Sequence, residues 1–465
     1  MRNLLPITAD ENKGLSDAAL PPSPPKWHWW LFILALGTLA FGIRIYYVTH
    51  SVVFQPVYLA NVHGDGAQYY HYAVNLLRHS VFSLDLPSNS EPKPDNFRDP
   101  GYPVLLAGLL LAFKSWGTWY AAVLIFQALL GAITVVLWMG VGREWMPTPY
   151  LVAAGLLMGV WPHSVTMSSY ILSETLFGFL CAMSMLLFRI ATNRNNTGSI
   201  AISGISFSLA ALTNAVMLPF GICLAIYARM QRKMSTKTAG VFVAVALCTL
   251  APWSIRNTML PGGHLSSTSR ARMNLVQGSW PEYHDAYMTW ARSGDPKTSG
   301  VLTQINQEVD LINAHPAAGT LAILHRLAGD PWKYVHWYLT KPALMWGWSI
   351  RIGEGGIYVY GTRNSPYDTV PTWRAISAIC YAINPLLLLL AAAGCILAMR
   401  SRAPLSMTAT ALMLLFVTLV YSILQAEPRY SIPYRGPEIL LGMFSAYWLS
   451  GKVAYLRARS RRATA

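Results

Sequence analysis

Long apolar runs separated by short polar breaks dominate the chain. A bilayer crossing takes about 20 mostly apolar residues. Runs of that character recur at 29–48, 119–141, 150–165, 172–190, 200–213, 216–226, 241–253, 376–399, 405–424 and 439–453. The two between 200 and 226 are short and read as tilted or partly embedded. The run 102–113 holds about a dozen residues, which suits a re-entrant or surface helix better than a crossing. Two polar stretches, 49–99 and 256–374, are too long to be turns. The pattern predicts an all-α polytopic membrane protein of about ten spans. It divides into a disordered tail (1–28), a transmembrane module (29–255) carrying a first outer loop (49–118), a second outer region (256–374), closing helices (375–453) and a basic tail (454–465).

Composition agrees, with 54% hydrophobic and only 12% charged residues among 465, beyond what one soluble core requires. The five cysteines, Cys181, Cys223, Cys248, Cys380 and Cys395, lie inside apolar runs without metal-site or redox spacing and read as core packing. The net charge of +15 has no soluble basic module to carry it, which argues against nucleic acid as a partner. The short loops account for it instead. With both termini in the cytoplasm and 102–113 not crossing, the inner loops carry Arg143, then Arg189 and Arg194, then Arg229, Arg232, Lys233 and Lys237, then Arg400 and Arg402. Every short inner loop then obeys the positive-inside rule. All acids except Asp10, Glu11, Asp17 and Glu144 fall on the outer face, where the chemistry is expected. The first 26 residues lack a small-residue cleavage pattern and read as a tail rather than a signal peptide. The sequon at 195–197 falls in an inner loop and reads as chance.

The outer loops hold the candidate chemistry. His63-Gly64-Asp65-Gly66 precedes Tyr69, Ala73 and Leu77 at helical spacing, so Asp65 opens an amphipathic surface helix, as an N-cap or as a functional acid. Arg98-Asp99-Pro100-Gly101-Tyr102-Pro103 sets an arginine at the bilayer edge, fit either to snorkel or to grip a phosphate bidentately. Glu174, in Ser173-Glu174-Thr175, sits at the mouth of a span, either stabilised by the helix dipole or at work on a substrate or cation. Arg256, in Pro252-Trp253-Ser254-Ile255-Arg256-Asn257, and Arg429 and Arg435, near Glu427 and Tyr430, add interfacial cations. Together they form a ring of cations around two or three acids, as expected where an anionic lipid headgroup binds.

These motifs, in this order, resemble the GT-C membrane glycosyltransferases, specifically glycosyltransferase family 39, the protein O-mannosyltransferase-like branch. The resemblance implies a GT-C-like bundle in the inner membrane, a polyprenyl-phosphate-linked sugar as donor and inverting transfer to a protein, lipid or glycan acceptor outside. It implies that Asp65 is the general base. Arg98, Arg256 and Arg429 would stabilise the departing phosphate, and Tyr69, Tyr102 and Arg435 would line the substrate site. Glu174 would orient the acceptor, hold Asp65 or share a divalent cation (magnesium or manganese) with it. Many relatives carry a second acid beside the aspartate where this chain has Gly66, which puts an acidic dyad and its metal in question. Aromatic residues between Asn274 and Trp348, with an amphipathic stretch at 301–327, suggest a small helical cap over the site. Two other readings compete. A transporter or lipid flippase predicts charges at mid-span and an internal repeat, neither of which the sequence offers. A polyprenyl-linked glycan polymerase or ligase predicts that Asp65 matters little.

Overall fold

The computed structural model describes residues 26–53, 64–194, 196–260, 266–294, 296–348, 362–400 and 403–463. The N-terminal tail through residue 25, His63 and Asn195 lie outside them. Inside lipid every backbone N–H and C=O must be paired within its own segment, so long apolar runs become helices. Helix α1 (Lys26–His50) leads to a two-residue strand β1 (Val52–Val53), α2 (Gly64–His79) and α3 (Gly101–Ala112). Helices α4 (Trp116–Gly142), α5 (Thr148–Val160) and α6 (Pro162–Thr166) follow. The chain bends by 49° between α5 and the helical turns at 162–169, because Pro162 has no N–H to give its carbonyl partner four residues back. Helices α7 (Glu174–Arg194), α8 (Thr197–Thr213), α9 (Leu218–Met230) and α10 (Thr236–Thr258) complete the first module.

Five helices make the cap: α11 (Ser267–Gly278), α12 (Tyr283–Ser293), α13 (Pro296–Ala314), α14 (Pro316–Gly329) and α15 (Pro331–Met345). The stretch 301–327, expected as one amphipathic piece, is two helices, since Pro316 starts α14 at N1 and cannot continue α13. Strand β2 (Thr362–Arg363) pairs antiparallel with β1, Val52 opposite Arg363, and ties the two long polar stretches together. Helices α16 (Pro366–Thr369), α17 (Pro371–Ala398) and α18 (Leu405–Ile423), a 3₁₀ turn at Pro428–Tyr434 and α19 (Arg435–Ala463) close the chain.

Among the described residues, six helices (α1, α4, α7, α10, α17 and α18) are long and apolar enough to cross a membrane, or seven if the bent α5 pair is one span. The chain is an all-α integral membrane protein. The expected count of about ten is thus reached only by including shorter helices, α8 and 215–230, and α19, whose last turns are basic. Helix α3, 12 residues and roughly 18 Å long, covers little more than half the hydrocarbon thickness.

Helix α4 packs against α1, α5 and α7; α8 sits between α7 and α10; α19 lies along α17. Cys181, Cys380 and Cys395 are buried here, but Cys223 and Cys248 are exposed on outward faces and do not pack in the core. The buried guanidinium of Arg44 donates to Ala40 O and Gly159 O. The cap has its own small core of Val276, Tyr283, Ile305, Ile312 and Ile323. It docks on α18 through the buried Lys341, whose Nζ donates to Gly278 O at 2.7 Å and also to Leu424 O. The fit requires glycine at 278, since a Cβ there would lie 2.3 Å from Leu424 O.

Candidate active site

Helix α2 begins at Gly64, whose φ of 79° is open to glycine and costly for other residues. That turn sets Asp65 in the first helical turn, on the face shared with Tyr69, Tyr72 and Ala73, all buried. The loop after α2 is built on Asp95. Tyr72 donates its hydroxyl to Asp95, Leu84 N and Phe97 N donate to its carboxylate, and Asn75 Nδ2 donates to Ser83 O and Asp85 O. A loop fixed this way delivers Arg98 to the Asp65 face of α2. Arg98 Nη2 is ion-paired with Asp65 Oδ1, and its Nε donates to Gln68 Oε1 at 2.6 Å. Arg98 therefore turns inward onto Asp65.

Arg429 comes from the other end of the chain, on the 3₁₀ turn between α18 and α19 that Pro428 and Pro433 keep tight. Its Nη2 lies 2.9 Å from Asp65 Oδ2 and its Nε 3.0 Å from Glu174 Oε1. One guanidinium thus sits between the two carboxylates. Glu174 is the first residue of α7; its Oε2 accepts no hydrogen bond among the described residues. Next to it Ser173 Oγ receives the Tyr69 hydroxyl at 3.2 Å. Burial alone would raise the Asp65 carboxyl, but Arg98 and Arg429 together outweigh it and hold it at about 2. Burial also pushes the Glu427 carboxyl up, against the pull of Arg429.

Asp65, Tyr69, Arg98, Glu174 and Arg429 all line one cavity of about 390 Å³. Asp99, Asn214 and, from the cap, Arg270 and Asn274 line it as well. Arg270 Nη2 bonds Asp99 Oδ2 at 2.8 Å. Arg98 and Asp99, neighbours in sequence, thus pair with charges of opposite sign on different elements. The sequence reading missed Arg270 as a site residue: it stands in a polar helix, where a cation has no contrast with its surroundings.

Three expected site residues lie elsewhere. Tyr102 is fully buried one layer behind Tyr69, ring centroids 5.0 Å apart, and donates to Gln127 Oε1 at 2.9 Å. Arg256 donates to Asp95 O and Phe82 O and braces the loop that carries Arg98. Arg435 is sealed among Glu438, Asn384 and the carbonyls of Trp346 and Gly347. A divalent cation shared by Asp65 and Glu174 would need the place Arg429 holds, and like charges at such distances repel strongly in a buried site. Among the described residues no cluster of three or more His, Cys, Asp or Glu could hold a metal.

No family model and no curated protein matches the sequence. Solved structures do. The oligosaccharyltransferase of Archaeoglobus fulgidus matches with a TM-score of 0.51 at 12% identity, over 91% of this chain and 50% of that one. Its AglB oligosaccharyltransferase in complex with an inhibitory peptide and a dolichol-phosphate gives 0.51 at 13% identity, over 94% and 52%. The fold is GT-C-like. ArnT from Cupriavidus metallidurans bound to undecaprenyl phosphate matches at a TM-score of 0.37 and 14% identity, over 91% of this chain and 78% of that one. The chain spans about half the length of the oligosaccharyltransferases it matches. Within the GT-C-like fold, the cavity lies where the first outer loop, the N-terminus of α7 and the cap meet.

Proposed function

We propose that this chain is a membrane glycosyltransferase of the family 39 type, moving a sugar from a polyprenyl-phosphate donor to an acceptor hydroxyl at the outer face of the inner membrane. The observation that carries the reading is Arg429 bridging Asp65 and Glu174 in a cavity that Arg98 also lines. The ordered sequence motifs and the GT-C-like fold support it.

The acceptor oxygen attacks the anomeric carbon and its proton passes to Asp65; the bond from that carbon to the phosphate oxygen breaks, and the lipid phosphate leaves with the electron pair. Attack opposite the leaving group inverts the anomeric centre. Asp65, Glu174, Arg98 and Arg429 are formally charge-balanced, so a phosphate entering the cavity competes with Asp65 for the two guanidiniums. That competition frees the carboxylate, whose basicity rises from its suppressed value as the donor binds. The same guanidiniums then face the charge that develops on the leaving phosphate. Glu174 orients the acceptor hydroxyl in this reading, and Arg256 acts indirectly by fixing the Arg98 loop. The test is turnover of polyprenyl-phosphate sugars by purified protein. Asp65→Asn should lower it by about 10²–10⁴-fold, and activity near the unmodified level would remove Asp65 as base.

A further inference from the structure

The outward faces of the cap helices differ in chemistry. On α13 the exposed positions include Thr303, Gln304, Asn306, Gln307 and Asp310, an ordinary water-facing surface. On α14 the outward stripe is Ala317, Leu321, Leu324 and Ala328, with the two leucines 55% and 56% exposed. On α15 it is Trp332, Val335, Leu339 and Ala343, with Trp332 82% and Leu339 74% exposed. Both stripes keep the three-and-four spacing of a single helix face. The formally charged residues of these two helices are elsewhere, and the exposed titratable groups beside the stripes are His325 and His336. Arg326 turns inward to Glu308 and Ser279, Lys341 is buried, and Asp330 and Lys333 sit at the turn between the helices.

Helix α15 also packs against a helix long and apolar enough to cross the membrane. Leu415, Leu419 and Ile423 form the exposed edge of the membrane-crossing α18. That edge ends at Ile423, whose carbonyl lies 3.5 Å from Lys341 Nζ on α15. Helix α15 thus packs on the end of α18 through its buried face, and its apolar stripe is turned away from that contact. A helix docked at the end of a membrane-spanning helix, with one apolar exposed face and its few charges at a turn, rests in the interfacial layer of a bilayer.

We propose that α14 and α15 are seated in the bilayer interface, their outward faces against lipid, while α13 of the same cap faces water. The cap is then a half-embedded element that fixes the cavity at membrane depth. This holds whatever sugar or acceptor the cavity takes.

The full chain, with Cys223→Ser and Cys248→Ser to remove the exposed thiols, is labelled with an environment-sensitive dye at single introduced cysteines and reconstituted in phosphatidylglycerol–phosphatidylethanolamine nanodiscs. Leu321→Cys, Leu324→Cys, Val335→Cys and Leu339→Cys report on the two stripes, Gln304→Cys and Asn306→Cys on α13. Nitroxide-labelled lipids should quench the stripe sites severalfold more than the α13 sites, and aqueous iodide should show the reverse order. Equal iodide quenching at all six positions would overturn the proposal. So would stripe sites reached by neither quencher together with dye-to-dye transfer between copies, which would mean that a second protomer covers them. Every labelled position is exposed, and an unchanged thermal midpoint of each preparation checks that the protein is folded.

Discussion

Arg429 and Arg435 are less than two helical turns apart, both buried and both ion-paired, yet they occupy opposite kinds of site. Arg429 joins two carboxylates that belong to other elements, and all three line an open cavity. Arg435 pairs with Glu438, three residues further along the same helix, and its remaining donors meet Asn384 and two backbone carbonyls with no cavity between. A buried ion pair gains little over an apolar pair of similar shape, because desolvation offsets the Coulomb term. The Arg435 pair is accounted for by local packing; the Arg429 cluster holds three charges from distant parts of the chain at a cavity wall, the arrangement on which the proposed function rests.

Substitutions can separate the two. Arg435→Met strands Glu438 in the core and should cost about 3–5 kcal/mol of stability, measured as a fall in thermal midpoint in detergent; an unchanged midpoint would place that pair in water. Arg429→Met should lower turnover by roughly 10²–10³-fold, and near-normal turnover would strip Arg429 of its role. Combining Arg435→Met with Glu438→Leu should recover the lost stability or exceed it by about 1–4 kcal/mol with turnover preserved, whereas no apolar partner for Arg429→Met should restore turnover.

Acid should expose the Asp65 cluster next. Because the folded carboxyl is held at about 2 against an unfolded value near 4, its contribution is complete above about pH 4 and disappears as the pH falls to about 2. By linkage it is worth about 2 kcal/mol, and Asp65→Asn should flatten that part of the stability curve. The smallest effect concerns Glu427, whose folded carboxyl burial pushes up. Its stability contribution is complete below the unfolded value and is lost as the pH rises through the folded one. Glu427→Gln, which keeps an acceptor for Gln425 Nε2, should match the unmodified protein near pH 4 and exceed its thermal midpoint slightly at pH 7.

The fold was legible in the sequence because each apolar run contrasts with polar flanks. Helix α4 differs from the run 119–141 by three residues at one end and one at the other. Asp65, Arg98, Glu174 and Arg429 stood out for the same reason, as charges at the borders of apolar segments. Burial on a helix face was not legible: Arg435 and Arg429 look alike in one dimension, and only the packing of α17 against α19 separates them. Arg270 and Asn214 were hidden in polar surroundings, and the break at Pro316 was hidden inside a pattern whose period runs on across it.

The pairing of neighbours at 98 and 99 with partners of opposite sign, Asp65 and Arg270, makes chain register an electrical property here. Deleting one residue between Asp95 and Arg98 would bring Asp99 to the place from which Arg98 meets Asp65, setting two anions against each other. The exposed stretch at 87–91, ahead of the Asp95 anchor, has no such constraint, so length variation in this loop should collect there and stop abruptly at that anchor.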